Sequence, residues 1–101
     1  MNDLELLQQF SRTIPVPSGL ALEVGTIRWP HPHEPTMEWI TAETLPENAD
    51  EQAIAAAQQR LLHNPKFFRI CEECQTRKPV GWMHNQTICQ GCASANHRVV
   101  Y

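Results

Sequence analysis

The chain has 101 residues, 42% of them hydrophobic, only seven aromatic, and a formal net charge of −3. That length sets one compact unit as the expectation, and the hydrophobic content excludes wholesale disorder. No apolar run approaches the ~20 residues needed to span a bilayer, and the first residues, Met1-Asn2-Asp3-Leu4-Glu5, lack the cationic lead and apolar stretch of an export signal.

In chain order, residues 3–11 read as a short amphipathic helix. Asn2 caps it, Asp3 and Glu5 suit its positive end, and Leu4, Leu7 and Phe10 form the expected apolar face. Ile14-Pro15-Val16-Pro17-Ser18-Gly19 then reads as a connector that stops the helix. Leu20, Leu22 and Val24 alternate with Ala21, Glu23 and Gly25, which predicts a strand over about 20–29 with Gly25 as a bulge. Three prolines in Pro30-His31-Pro32-His33-Glu34-Pro35 remove three ladder donors, so this segment reads as a loop. Met37-Glu38-Trp39-Ile40-Thr41 regains strand character, making 20–41 a hairpin with a stiff tip.

A longer helix is predicted over about 49–63. Asn48 with Glu51 has capping-box form, Ala53, Ile54, Ala57, Leu61 and Leu62 make a narrow apolar face, and Asn64-Pro65 ends it. Beyond it the expectation is three short strands: 67–70, 80–83, and a terminal strand 97–101.

The remaining feature organises the others. All four cysteines fall in two Cys-x-x-Cys pairs, Cys71-Glu72-Glu73-Cys74 and Cys89-Gln90-Gly91-Cys92. Each pair places two sulfurs on one tight turn, and the stretch between them is long enough to double back. Such spacing is a signature of a tetrahedral metal site, with Cys71, Cys74, Cys89 and Cys92 as ligands to one structural Zn2+. Iron in a mononuclear tetrathiolate uses the same ligands. Two disulfides would need an oxidising compartment and the export signal that is missing. A redox pair would need a thiolate stabilised by nearby cations, where Glu72 and Glu73 stand instead. Reduced thiols and zinc chemistry place the expected location in the cytoplasm.

Over residues 68–100 the pattern resembles the four-cysteine zinc-ribbon and treble-clef class of small zinc fingers. The resemblance implies a structural metal. Knuckles of that class often carry glycine after the second cysteine, where the turn needs positive φ; Gln75 and Ala93 stand at those positions.

The expected fold is thus a small α+β domain: short helix, β-hairpin, longer helix (residues 1–65), then a four-cysteine zinc lobe (66–101) packed on it. Residues 1–59 hold nine of the eleven acids against Arg12 and Arg28, a net of −7. Residues 60–101 hold six cations against Glu72 and Glu73, a net of +4. A zinc tetrathiolate lowers the latter to roughly +2, short of a nucleic-acid footprint.

Several other residues carry candidate chemistry. His31 and His33 with Glu34 have the spacing of a second metal site, though the prolines suit a solvated loop better. His84 and His97 lie near enough to the cysteines to replace one as a ligand or to donate a hydrogen bond to one, and His63 suits a helix C-terminus. Lys66, Arg69, Arg77 and Lys78 could follow a phosphate backbone while Phe67, Phe68 or Trp82 stacks on bases. Alternatively these cations offset the thiolate charge. Trp82, between the knuckles, is either a projecting interface anchor or packed over the zinc site.

No catalytic constellation appears. The deaminase signature needs an open three-ligand zinc, and a fourth cysteine closes this one. The functional expectation is a non-enzymatic zinc-binding protein that acts as a protein–protein interaction adaptor. The alternative is a nucleic-acid-binding or transcription-associated finger.

Overall fold

The computed structural model describes residues 2–31 and 34–98. Among them are three α-helices, a three-stranded antiparallel sheet and a two-stranded antiparallel hairpin, an α+β domain with the four cysteines in its C-terminal third. Helix α1, Asp3–Phe10, begins at a complete capping box: Asn2 Oδ1 accepts from the Glu5 N–H and the Glu5 carboxylate accepts from the Asn2 N–H. The buried face is Leu6 with Phe10, an i, i+4 pair, while Leu4 is 63% exposed. The expected Leu4–Leu7–Phe10 stripe drifts round a 3.6-residue helix, and only its last two members reach the interior.

The Pro/Gly stretch after α1 is largely a strand, which corrects the expected connector. Helix α1 passes without a loop into β1, Ser11–Val16, and Ser11 Oγ donates to the Leu7 carbonyl at 2.6 Å. Pro15 sits opposite Leu20 in an edge strand, the position where a missing N–H is tolerated. Pro17-Ser18 form the turn into β2, Gly19–His31. Gly19 begins that strand at φ +141°, and a side chain there would lie 2.3 Å from the Leu45 carbonyl, so glycine is required.

Strand β2 is central, between β1 and β3, Glu34–Leu45. The β2–β3 register slips between Leu22 and Glu23, leaving Ala42 unpaired, and again between Arg28 and His31. Gly25 is no bulge; it pairs regularly with Trp39, and Met37 folds over its bare Cα. Strand structure also runs further into the proline segment than expected. Beyond Val24, β1 has ended and the sheet narrows to a β2–β3 ribbon, where Pro30 and Pro35 interrupt a single ladder. The tip at 32–33 lies outside the described residues.

Helix α2, Glu51–Leu62, is capped by Asp50 rather than Asn48: the Asp50 carboxylate accepts from the Ala53 N–H at 2.8 Å. Asn48 lies in the preceding turn, closed by the Ala49 N–H to the Pro46 carbonyl. Ala57, Leu61 and Leu62 face inward as expected. The core is Leu6, Phe10, Leu22, Val24, Leu45, Ala57, Leu61, Leu62 and Phe68.

The C-terminal third differs most from expectation. Strand β4, Phe68–Ile70, pairs with β5, Arg77–Pro79. The expected strand over 80–83 is instead a 3-10 turn, Val80–Trp82. That turn fills the space beside β2 that β1 vacates: a Cβ on Gly81 would lie 2.6 Å from Ile27 Cβ and 2.7 Å from the Ile27 carbonyl oxygen. Trp29 Nε1–H donates to the Gly81 carbonyl at 2.8 Å. The expected terminal strand is contradicted at its start, because helix α3 spans Gln90–His97; residues 99–101 lie outside the described residues. No helix among the described residues is long and apolar enough to cross a membrane.

Candidate metal centre

The first cysteine pair occupies the turn between β4 and β5. Cys71 leaves β4 with its N–H bonded to the Thr76 carbonyl, and the Gln75 N–H closes the turn on the Cys71 carbonyl at 2.9 Å. Gln75 takes φ +58°. The positive φ that such a knuckle requires is therefore present without glycine, supported by Gln75 Nε2–H donating to the Glu72 carbonyl.

The second pair sits on the first turn of α3. Cys89 is its N-cap and pairs across an isolated bridge with Met83, while Asn85 Oδ1 accepts from the Thr87 and Ile88 N–H groups to shape the approach. Ala93, at the other position where glycine was anticipated, is helical and buried. The Glu72 N–H donates to the Thr87 carbonyl at 2.8 Å and ties one knuckle to the segment leading into the other.

These elements bring four sulfurs within 4.8 Å of one another. Cys71 and Cys92 Sγ are 3.7 Å apart and Cys74 and Cys89 Sγ 4.0 Å apart. A tetrahedron with metal–sulfur bonds of ~2.3 Å has edges of roughly 3.8 Å, so the donor set fits a four-coordinate metal. The sulfurs also accept backbone hydrogen bonds suited to thiolates. Cys71 Sγ accepts from the Cys74 and Cys89 N–H groups, and Cys89 Sγ from the Cys92 N–H at the positive end of α3. Burial pushes the Cys71 thiol up, but backbone N–H groups of Cys74, Cys89 and Glu73 outweigh it and bring it down to about 6. Cys92 is pushed up to about 12 by burial and by the neighbouring sulfurs. The cysteines are not joined to one another: the Cys71–Cys92 and Cys74–Cys89 sulfurs stand 3.7 and 4.0 Å apart, well beyond the ~2.05 Å of a disulfide. Cys71 and Cys89 are buried and Cys74 is exposed, so the site is shallow but closed by its own ligands.

Among the described residues, the cluster contains cysteines alone. His97 instead bonds through Nε2 to the Glu73 carboxylate, and Asn96 Nδ2 donates to its other oxygen at 2.8 Å. His97, then Asn96, hold the Glu73 carboxyl below the usual carboxylate range. The acid inside the first knuckle thus clasps the far end of the helix that carries the second, a contact invisible to sequence because the terminal segment reads as strand. His31 ends β2 opposite Glu34, and His33 lies outside the described residues. His63 caps α2, its Nδ1 at 2.8 Å from the Gln59 carbonyl.

The cations around the first knuckle are placed differently from one another. Arg77 donates to Asp3 Oδ2 at 2.6 Å, linking β5 to α1, and its side chain is only 14% exposed. Lys66 lies over the Phe67 ring. Arg69 and Lys78 face each other across the β4–β5 ladder. Trp82 does not project: its ring meets Phe10 edge-on at 5.2 Å, and it lines a small cavity beside Cys89. Of the two expectations for Trp82 the projecting anchor is not seen, and its main contact is with Phe10 of α1, while Trp29, which sequence reasoning passed over, is 41% exposed.

Comparison with protein-family models, with curated proteins and with solved structures finds no match for the chain.

Proposed function

We propose that this protein is a non-catalytic structural-zinc module that acts as a protein–protein interaction adaptor. The observation that carries the reading is the closed tetrathiolate: two ligands on a β-hairpin turn, two on the first turn of a helix, at tetrahedral spacing. Four protein ligands leave no coordination position for water or substrate, which suits a metal that holds structure. Ligands divided between hairpin and helix N-terminus favour the treble-clef member of the class over the ribbon. Zinc is favoured over iron as the common occupant of such structural fingers.

The adaptor part of the reading rests on surface character. Exposed Trp29, Met37 and Ile70 sit on an elongated body of 49 × 27 × 18 Å, the kind of apolar positions that serve as contact sites. Nucleic-acid binding is the weaker reading, because Arg77 is paired with Asp3 and the Trp82 ring packs on Phe10, which ties up two of the residues that reading would use.

Two measurements test this. Elemental analysis of protein purified without added metal should return one zinc per chain; a coloured, iron-loaded protein would overturn the metal assignment. Capture from native lysate with zinc-loaded protein, with and without nuclease, should retain a defined protein partner after nuclease. Partners that vanish with nuclease would replace the adaptor reading by the nucleic-acid one.

A further inference from the structure

A cleft of about 320 Å³ opens where the C-terminal end of α2 meets the β4–β5 hairpin. Its polar lining includes His63, Arg69, Arg77 and Gln86, its apolar lining Phe68 and Ile70, and among the described residues no acidic side chain lines it. Two further observations set this place apart from the rest of the surface.

The first is the state of the arginines. Arg12, Arg28 and Arg60 are paired with Glu23, Glu38 and Glu43, and Arg77 with Asp3. Among the described residues, the Arg69 guanidinium has no carboxylate or hydrogen-bond partner, although the side chain is only partly exposed. Arg98, the other unpaired arginine, sits exposed at the end of α3, outside any such cleft. The second is the like-charge pair across the hairpin. Arg69 and Lys78 occupy directly opposed positions, an arrangement that costs stability unless an anion offsets it. Ile70, which stands opposite Arg77 on the other face of the ladder, is 50% exposed and lines the cleft with Arg69, whereas Lys78 does not.

We propose that this cleft receives an acidic peptide segment of the partner protein, with a Glu or Asp carboxylate on Arg69 and a neighbouring apolar side chain against Phe68 and Ile70. The inference rests on the adaptor reading and names the chemistry of its partner. A guanidinium with a free fork binds a carboxylate in bidentate fashion. A single free guanidinium in an apolar-floored cleft suits a carboxylate beside a leucine-like group; a nucleic-acid strand calls for a run of cations.

The test is an amide-resolved NMR titration of the zinc-loaded full chain with acetyl-Leu-Glu-Glu-Leu-amide. Its counterpart with both Glu replaced by Gln and an oligothymidylate serve as comparisons. The acidic peptide should shift the amides of Arg69, Ile70 and Arg77 with a Kd on the order of 1 mM. Arg69→Gln should weaken it about tenfold, while Lys66→Gln, the same charge loss outside the cleft, should change it less than about twofold. An unperturbed spectrum outside the cleft shows that Arg69→Gln remains folded. No cleft shifts, equal binding of the glutamine peptide, or tighter binding of the oligothymidylate at the same amides would each overturn the proposal. Failure here is separable from failure of the adaptor reading. A partner captured equally by wild type and Arg69→Gln sinks the cleft and leaves the adaptor; peptide binding without any captured protein does the reverse.

Discussion

At the scale of single residues the four sulfurs are not equivalent, and that difference predicts how metal loading responds to pH. Cys71, with its pKa lowered to about 6, is largely thiolate at neutrality, whereas Cys92, raised to about 12, is a thiol. A tetrathiolate site needs both deprotonated, so metal entry must displace at least the Cys92 proton. Apparent affinity therefore rises with pH through the neutral range, by at least about tenfold per unit. Competition against a chromophoric chelator on either side of neutrality reads this directly, and a flat profile would show that no proton is displaced. Cys71→Ser removes the most buried sulfur of the cluster, the one that accepts two N–H groups, and should abolish stoichiometric metal binding. Gly81 is a residue-scale constraint of another kind. Gly81→Ala puts a methyl group against the Ile27 backbone, which cannot retreat without moving β2, and should cost about 1–3 kcal/mol in denaturant unfolding.

At the scale of elements, capping decides how α2 starts. Asp50→Ala removes the carboxylate that accepts from the Ala53 N–H and should cost about 1 kcal/mol, while Asn48→Ala should stay within about 0.5 kcal/mol. Chemical denaturation of both variants separates the two caps; equal losses would contradict the observed helix start. The same helix shows what sequence conveys and what it hides. Its apolar face and extent are local properties, and Ala57, Leu61 and Leu62 point inward as their spacing implies. The choice of cap turns on a two-residue difference in where the backbone leaves its turn, which both Asn48 and Asp50 suit. Strand β1 was hidden for a different reason: Pro15 and Pro17 signal a connector, and only the position at a sheet edge makes a proline strand tolerable. Likewise Val80-Gly81-Trp82 has strand composition, but the free edge of β2 beyond Val24 demands a close backbone approach that a 3-10 turn with a central glycine supplies. The four-cysteine cluster was legible because a tetrahedral donor set imposes its spacing on the sequence directly. The Glu73–His97 clasp and the Arg77–Asp3 pair were not, since each joins residues far apart in the chain with no local pattern to announce them.

At the scale of the whole molecule, the metal lobe and the sheet are joined through few contacts with unequal support. Eight of the nine core residues among the described residues lie before the β4–β5 hairpin, and only Phe68 belongs to it. The lobe itself has two three-residue strands and one eight-residue helix, too little to hold without a staple. The proposed structural zinc would contribute on the order of 10 kcal/mol of apparent folding free energy, so its removal should not weaken all elements alike. Chelation should release β4, β5 and α3 first and lift the Val80–Trp82 turn from β2, breaking the Trp29–Gly81 hydrogen bond and the Phe10–Trp82 contact. Leu22, Val24, Leu61 and Leu62 keep their mutual packing, so β2 and α2 should retain slow amide exchange. Hydrogen-exchange mass spectrometry before and after chelation would show protection lost over 68–97 and kept over 20–24 and 54–62. Uniform loss across both ranges would mean that the metal holds the entire fold, with the turn beside β2 carrying its stabilisation into the sheet.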